Sequence, residues 1–295
     1  MLKGVAVGFL AYGLFSWSDA CVKAIGRHLS VFEIIFFTTV FSMGTFAFAK
    51  PQIERWRDIF RMNRPWLVLV RTVTGIIGGL CSVFAFTTLP LAEAYALLFL
   101  MPAFATMLSI PILKEKVGWR RWLAVFAGFA GVLLVVRPGF RELHLGHLAG
   151  AVGAVAGAAS LIVLRVLGPT EKRTSLLGVV FLAVIVVNGA LMAPAFKLPD
   201  STDFALLLFA GTVGGFGQIA MLAATRLAPA NRIAPAQYSQ ILWAVSLGAI
   251  FFAEFPDRLA LIGMALVGLS GLFTLLREEQ LHSWSRRTIL MRDRP

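Results

Sequence analysis

Charge is what this sequence lacks most. Asp, Glu, Lys and Arg make up only 14% of its 295 residues, against roughly 25% in soluble domains. Hydrophobic residues supply 58%, and the mean hydropathy is +0.82. A core in a chain this short cannot hide so much apolar surface, so lipid must solvate much of it. That excludes an ordinary soluble domain. Acidic residues are scarcer than basic ones, 15 against 27, for a net charge of +12. The basic residues sit in short breaks between apolar runs and do not share one polar face. No nucleic-acid partner is therefore expected, and the cations read as topology signals.

Other absences narrow the field further. Cys21 and Cys81 are the only cysteines. Both fall inside apolar segments, where thiols act as small hydrophobes, so no disulfide framework is expected. The Gly-rich phosphate loop, the G-x-S-x-G elbow and the H-E-x-x-H helix are all missing. This speaks against ATP-driven transport by this chain alone and against the common hydrolase chemistries. The chain is read as a non-enzyme without a cofactor. His144 and His147 form an H-x-x-H pair, but two ligands make a poor metal site, and no metal is expected. No signal peptide is expected either. The first apolar run starts after Lys3 and continues to about Gly26 without a small-residue cleavage site.

Long apolar runs are what the sequence does have. Charges, prolines and glycines break it into runs of about 18–24 residues, the length that crosses a bilayer as helix. The expected spans are 4–26, 30–49, 65–87, 90–113, 119–137, 147–167, 175–196, 204–226, 231–253 and 259–276. With the N-terminus inside, twenty Lys and Arg fall on the cytoplasmic side and five on the other. Both termini are thus expected in the cytoplasm, with a basic tail at 277–295, in a bacterial-type inner membrane.

The chain also repeats itself. Gly8, Ser18 and Gly26 recur at one constant offset as Gly150, Ser160 and Gly168. Gly75, Gly78 and Glu115 recur at a second, nearly equal offset as Gly214, Gly217 and Glu254. With one residue of slippage, Gly128 and Gly131 then fall on Gly268 and Gly271. The expected fold is an all-α integral membrane protein of ten transmembrane helices in two five-helix units, 1–137 and 147–276. Five is odd, so the second unit enters the membrane inverted. Binding in such proteins lies near the midplane, between the halves.

Two segments, TTLPLAEAYALLFLMPAFATMLSIPILKEKVGWRRWLAVFAGFAGVLLV and RLAPANRIAPAQYSQILWAVSLGAIFFAEFPDRLALIGMALVGLSG, share one order. Each has a short turn, a helix ending in Glu, a polar break and a helix with spaced glycines. In this the chain resembles the EamA-type transporters of the drug/metabolite transporter superfamily over essentially its whole length. The resemblance implies a coupled or facilitative carrier with a central cavity, whose members move amino acids, nucleotide-type cofactors, sugars or drugs. FEIIFFTTVF departs from the family pattern, carrying Glu33 and threonines where an Arg is common.

Charges inside the spans are the sharpest functional signal, because one at mid-helix costs about 2.5–3.5 kcal/mol on insertion scales. Asp19 and Lys23 share a helix face at i, i+4, and Glu33 and Glu93 lie at a similar depth. These four form either an outer network that gates or binds protons, or a local Asp19–Lys23 pair with snorkelling glutamates. Arg71 lies in the inner half, attracting an anionic solute or reaching headgroups. Glu115 and Glu254 are expected to tie their helix ends to backbone or to a cation. The midplane offers Tyr12, Trp17, Phe99, Asn188, Gln218, Gln237, Tyr238, Gln240 and Trp243, as a solute cavity or as plain packing. Small faces at Gly75, Gly78, Gly79 and Ser82, and at Gly211, Gly214, Gly215 and Gly217, permit close approach, while Pro102 and Pro235 offer kinks.

The expected function is a secondary transporter of small metabolites working by alternating access. Export of amino acids, including hydrophobic and aromatic ones, fits the candidate cavity. The alternatives are import of riboflavin- or nucleotide-like heteroaromatics and, in another class, a lipid flippase. The partners are a small-molecule substrate and the lipid bilayer. Proton coupling and oligomeric state stay open.

Overall fold

The computed structural model describes residues 2–49, 59, 61–114, 117–137, 142–167, 171–228 and 233–273. Among these residues the regular structure is entirely helical, without a strand. The helices are α1 (Leu2–Ile25), α2 (Val31–Ala49), α3 (Pro65–Thr88), α4 (Leu91–Leu98), α5 (Met101–Leu113) and α6 (Trp119–Val136). They continue with α7 (Leu145–Leu167), α8 (Arg173–Met192), α9 (Ser201–Leu227), α10 (Ser239–Phe252) and α11 (Arg258–Phe273). Short 3-10 turns cover Ala193–Ala195 and Ala234–Tyr238. Glu115, Gly168, Arg232 and the tail 277–295 lie outside the described residues.

Six described stretches are long and apolar enough to cross a membrane: Leu2–Ile25, Pro65–Thr88, Leu91–Leu113, Leu145–Leu167, Gly178–Ala195 and Ser201–Leu227. Shorter apolar helices cover Val31–Thr45, Trp122–Val136 and Arg258–Phe273. Large apolar side chains such as Leu242, Ile250 and Val186 stay about seven-tenths exposed (72, 71 and 68%). A soluble protein does not tolerate such a surface; in a multi-pass membrane protein it faces lipid.

Two expected helices are not continuous. The run expected over 90–113 breaks at Phe99–Leu100, and the run expected over 231–253 begins as a 3-10 turn and becomes α-helix only at Ser239. Proline accounts for the first break. Pro102 lies in the first turn of α5 and brings no N–H donor. The chain tightens there, with Leu100 N–H bonded to the Leu97 carbonyl at 3.0 Å, before Phe104 resumes the regular pattern. Pro235 opens the 3-10 turn in the same way.

Helix ends are closed by side chains. Ser30 and Glu33 form a reciprocal capping box at the start of α2: Ser30 N–H donates to Glu33 Oε2 at 2.8 Å, and Glu33 N–H to Ser30 Oγ at 3.3 Å. Asp200 caps α9 by accepting the Asp203 N–H at 2.7 Å. Lys114, Arg137 and Ala253 end α5, α6 and α10 in the left-handed conformation, with φ of 54, 49 and 55°. A left-handed residue there is a common way for a helix to end.

The helices meet through small residues. Gly214 lies under Ser18, whose hydroxyl donates to the Ala210 carbonyl at 2.9 Å and ties α1 to α9. Gly78 opposes Gly157 between α3 and α7, and Gly211 faces Thr38 between α9 and α2. Without a hydrophobic drive in lipid, such close backbone approach supplies the packing. At the seam between α6 and α11 the two backbones themselves meet. A methyl group at Gly131 would sit 2.7 Å from the Gly263 carbonyl oxygen, and one at Gly263 would sit 2.6 Å from that of Gly131. Gly131→Ala is therefore expected to destabilise the bundle by about 1–3 kcal/mol, as overpacking does. Gly79→Ala, where an added Cβ meets nothing within 4 Å, should be neutral. Thermal unfolding of the two variants in detergent checks this, and equal midpoints would refute the seam.

Candidate functional site

A cavity of about 450 Å³ opens among α1, α3, α4, α5, α7, α9 and the turn leading into α10. Glycines make the room: Gly75 and Gly79 of α3 and Gly153 and Gly157 of α7 line it. Its polar groups are Asp19, Thr74, Ser82, Ser160, Gln218, Gln237 and Gln240, and its rings are Phe15, Phe86, Tyr95 and Phe99.

Asp19 is the centre of a small hydrogen-bonded group. The Tyr95 phenol donates to Asp19 Oδ2 at 2.5 Å, and Gln240 Nε2 donates to the Tyr95 oxygen at 3.3 Å. Ser16 Oγ lies 3.5 Å from the same oxygen. Tyr95 is only 4% exposed, so its hydroxyl needs these partners. From it the rings run in a ladder, with centroids 5.0 Å apart for Phe86–Tyr95, 5.8 Å for Tyr95–Phe99 and 5.5 Å for Phe99–Tyr238.

One turn beyond Asp19, a polar tie links three segments of the bundle. Lys23 Nζ lies 2.8 Å from Glu254 Oε1 and also donates to the Leu89 carbonyl in the turn between α3 and α4. Glu254 Oε2 accepts the Leu91 N–H at 3.0 Å, in the first turn of α4. There the helix leaves its N–H groups without intrahelical partners. The tie thus joins the end of α1, the α3–α4 turn and the segment after α10. Glu254 has the tethering role expected for it.

Among the described residues, Asp19, Lys23, Glu33 and Glu93 do not pair with one another; each meets a group elsewhere. Asp19 does not pair with Lys23. Although i, i+4 spacing aligns them, each finds a better-placed partner on another helix, Tyr95 for one and Glu254 for the other. Glu33 stays at the start of α2, where its Oε1 accepts the Lys197 N–H at 2.6 Å. Glu93 Oε2 lies 3.4 Å from His147 Nε2, and His147 Nδ1 accepts the His144 N–H at 3.0 Å. The H-x-x-H pair thus serves hydrogen bonding and stacking. Among the described residues no cluster of three or more metal-ligating side chains occurs.

The midplane candidates separate as well. Phe99, Gln218, Gln237 and Gln240 line the cavity. Tyr12 packs edge-on against Phe15, Trp17 against Phe251, and the Trp243 indole lies under Gly13. Tyr238 closes the ring ladder and abuts Gly271. Asn188 is buried away from the cavity, its Nδ2 donating to the Val184 carbonyl at 2.8 Å. Arg71 also turns away and donates to the Leu176 carbonyl of α8. The residue that sequence reasoning missed is Tyr95. It is one of three tyrosines in the chain, and the rule that a polar group in hydrocarbon needs a partner, applied to Gln218 and Gln240, picks it out equally well.

Because the tie uses two backbone groups besides the ion pair, exchanging its charges does not preserve it. Lys23→Glu combined with Glu254→Lys would set a carboxylate against the Leu89 carbonyl and an ammonium against the Leu91 N–H. The double variant is expected to unfold at a lower temperature than the wild type, because buried charges stripped of their partners cost several kcal/mol. Wild-type stability in that variant would reduce the tie to a simple ion pair.

Comparison with known proteins agrees with this architecture. The chain is 24% identical to the S-adenosylmethionine uptake transporter of Rickettsia prowazekii (strain Madrid E), over 95% of this chain and 94% of the relative. It is 27% identical to the pseudopaline exporter of Pseudomonas aeruginosa (strain UCBPP-PA14), over 90% and 93%. It is 28% identical to the riboflavin transporter of Rhizobium johnstonii, over 79% and 78%. A solved crystal structure shares the fold at a TM-score of 0.64 and 17% identity, covering 94% of this chain and 98% of the other. The sequence pattern of the EamA-like transporter family matches residues 2–137 and again 144–276. The chain belongs to the EamA-like transporter family.

Proposed function

We propose that this protein is a secondary transporter that moves a small metabolite by alternating access, through ten spans arranged as two inverted halves. The observation that carries the reading is the cavity: amides and aromatic rings surround a single carboxylate, and a polar tie closes the end nearest that carboxylate. A solute site that is sealed on one side is what a carrier presents at one stage of its cycle.

Paired features support the two halves. Lys114 and Ala253, related by the same offset as Gly75 and Gly214, end their helices with the same left-handed φ. Their N–H groups bond to the carbonyls of Ser109 and Gly248, which that offset relates again. The helix breaks at Phe99 and Tyr238 keep the same spacing. Glu33 accepts a backbone N–H from Lys197 just before α9, and Glu171 accepts those of Asn63 and Arg64 just before α3, at 2.8 and 2.7 Å. Each half thus braces the other with a glutamate at a helix start.

Amino acids, hydrophobic and aromatic ones included, are the proposed substrates, and export the proposed direction. Amides hold the polar end of such a solute and the rings its side chain. A second reading, a flat heteroaromatic, draws on the ring ladder and on the riboflavin transporter among the relatives. Uptake of labelled amino acids and of riboflavin into proteoliposomes separates the two. Saturable uptake of one class is expected. Gly79→Phe, whose ring enters the cavity without a clash at its Cβ, should lower that uptake at least tenfold in folded protein. No uptake of any amino acid by folded protein would sink the amino-acid assignment.

Both termini are proposed to lie in the cytoplasm of a bacterial inner membrane. A fluorescent protein fused to the C-terminus should then fluoresce and a periplasmic phosphatase should stay inactive. The opposite pattern would invert the topology.

A further inference from the structure

The cavity's electrostatics are one-sided. Asp19 is the only carboxylate in its lining, and among the described residues no Lys, Arg or His lines it. The nearest cation along α1, Lys23, is already held by the Glu254 carboxylate and the Leu89 carbonyl. Arg71 is directed to the α8 backbone. Asp19 itself receives one hydrogen bond, from Tyr95 to Oδ2, and that phenol is oriented by Gln240. Its other oxygen, Oδ1, accepts no hydrogen bond from a described residue. A carboxylate in a low-dielectric cavity without a counter-charge is costly, and either a proton or a cation that enters the cavity offsets it.

The surroundings say what kind of cation that is. A hard metal ion wants six or more oxygen ligands, and the cavity offers Asp19 one free oxygen beside aromatic rings. Phe15, one turn before Asp19, and Phe86, Tyr95 and Phe99 supply π faces. Those faces attract organic cations within about 6 Å of the ring centroid. The amides Gln218 and Gln237 and the hydroxyls of Thr74, Ser82 and Ser160 lie in the remainder of the cavity. A volume near 450 Å³ falls within the range of small-molecule sites.

We infer that Asp19 is the substrate-recognition carboxylate of this cavity, and that the solute it selects carries an organic cation, an ammonium or a sulfonium, with a polar remainder held by the glutamines and hydroxyls. The inference rests on the transporter reading and adds a charge requirement to it. The cation seats between Asp19 Oδ1 and the ring ladder, while Tyr95 and Gln240 hold the carboxylate in place. Neutral and purely anionic solutes lack the group that offsets Asp19 and bind more weakly.

Pairs of probes that differ in the cation test this by calorimetry on the purified full-length protein: phenylalaninamide against N-acetylphenylalaninamide, tyramine against 4-hydroxyphenethyl alcohol, and the S-methylsulfonium of N-acetylmethioninamide against N-acetylmethioninamide itself. In at least one pair the cation is expected to bind tenfold or more tightly than its neutral partner. Asp19→Asn, which keeps an acceptor for Tyr95, should abolish that preference. Asp19→Glu should retain part of the preference. Equal affinities within every pair, no binding of any cation by the wild type, or an undiminished preference in Asp19→Asn would each overturn the inference. The wild-type comparison decides on its own if a variant fails to fold. Proteoliposome uptake separates this outcome from the transporter reading. Saturable uptake without cation preference leaves the transporter and removes the Asp19 role. Asp19-dependent binding without uptake leaves the site and removes the transporter.

Discussion

A single ammonium group holds the closed end of this protein together. Lys23 reaches from α1 to the Glu254 carboxylate and the Leu89 carbonyl, and Glu254 completes the circuit at the Leu91 N–H. Buried ion pairs contribute little net stability, because desolvation offsets most of the attraction. Their use here is registry. Three segments far apart in sequence are fixed relative to one another, and the fixed point lies one helical turn from Asp19. The cavity beneath inherits its shape from this tie, since α1 and α4 carry Asp19 and Tyr95. The same device appears at Glu33 and Glu171, each of which commits its carboxylate to backbone N–H groups of a distant segment.

Much of this was legible in the sequence, for simple reasons. Hydropathy and length located the apolar helices, because lipid leaves the backbone no choice but internal hydrogen bonding. Pro102 and Pro235 announced the places where two helices are interrupted. Glycine spacing marked the faces on α3 and α9, where a Cβ would meet Ala156 or collide with Thr38. The partners of the charges were not legible. Spacing along α1 offered Lys23 to Asp19, whereas the tertiary fold offers Glu254, from the opposite end of the chain. No local pattern encodes a contact of that kind. Arg71, Asn188 and Trp243 were plausible by depth alone, and depth does not say which way around the helix a side chain points. Tyr95 was overlooked because its ring suggested packing, while its hydroxyl is what organises Asp19.

The distribution of small residues explains how a rigid tie and an open cavity share one bundle. Gly211, Gly214 and Gly217 bring α9 against α2 and α1, and Gly78 brings α3 against α7. Gly75 and Gly79, beside Gly78 on the cavity-lining face of α3, meet almost nothing and leave the space that the cavity occupies. One helix face thus uses the same residue type for contact at one position and vacancy at the next. The broken helices sit at the boundary, with Phe99 at the first interruption and Gln237 in the second, and both line the cavity.

The seam between α6 and α11 has a consequence for how the protein is made. Gly131 lies before the middle of the chain and Gly263 close to its end. At synthesis rates of about 5–20 residues per second, α6 waits on the order of ten seconds in the bilayer before its partner emerges from the ribosome. During that interval its glycine groove lies against acyl chains, free for any other small-faced helix to occupy. Of the described helices, the one that closes this groove is the last in chain order, so the seam cannot form until the other described helices have been made.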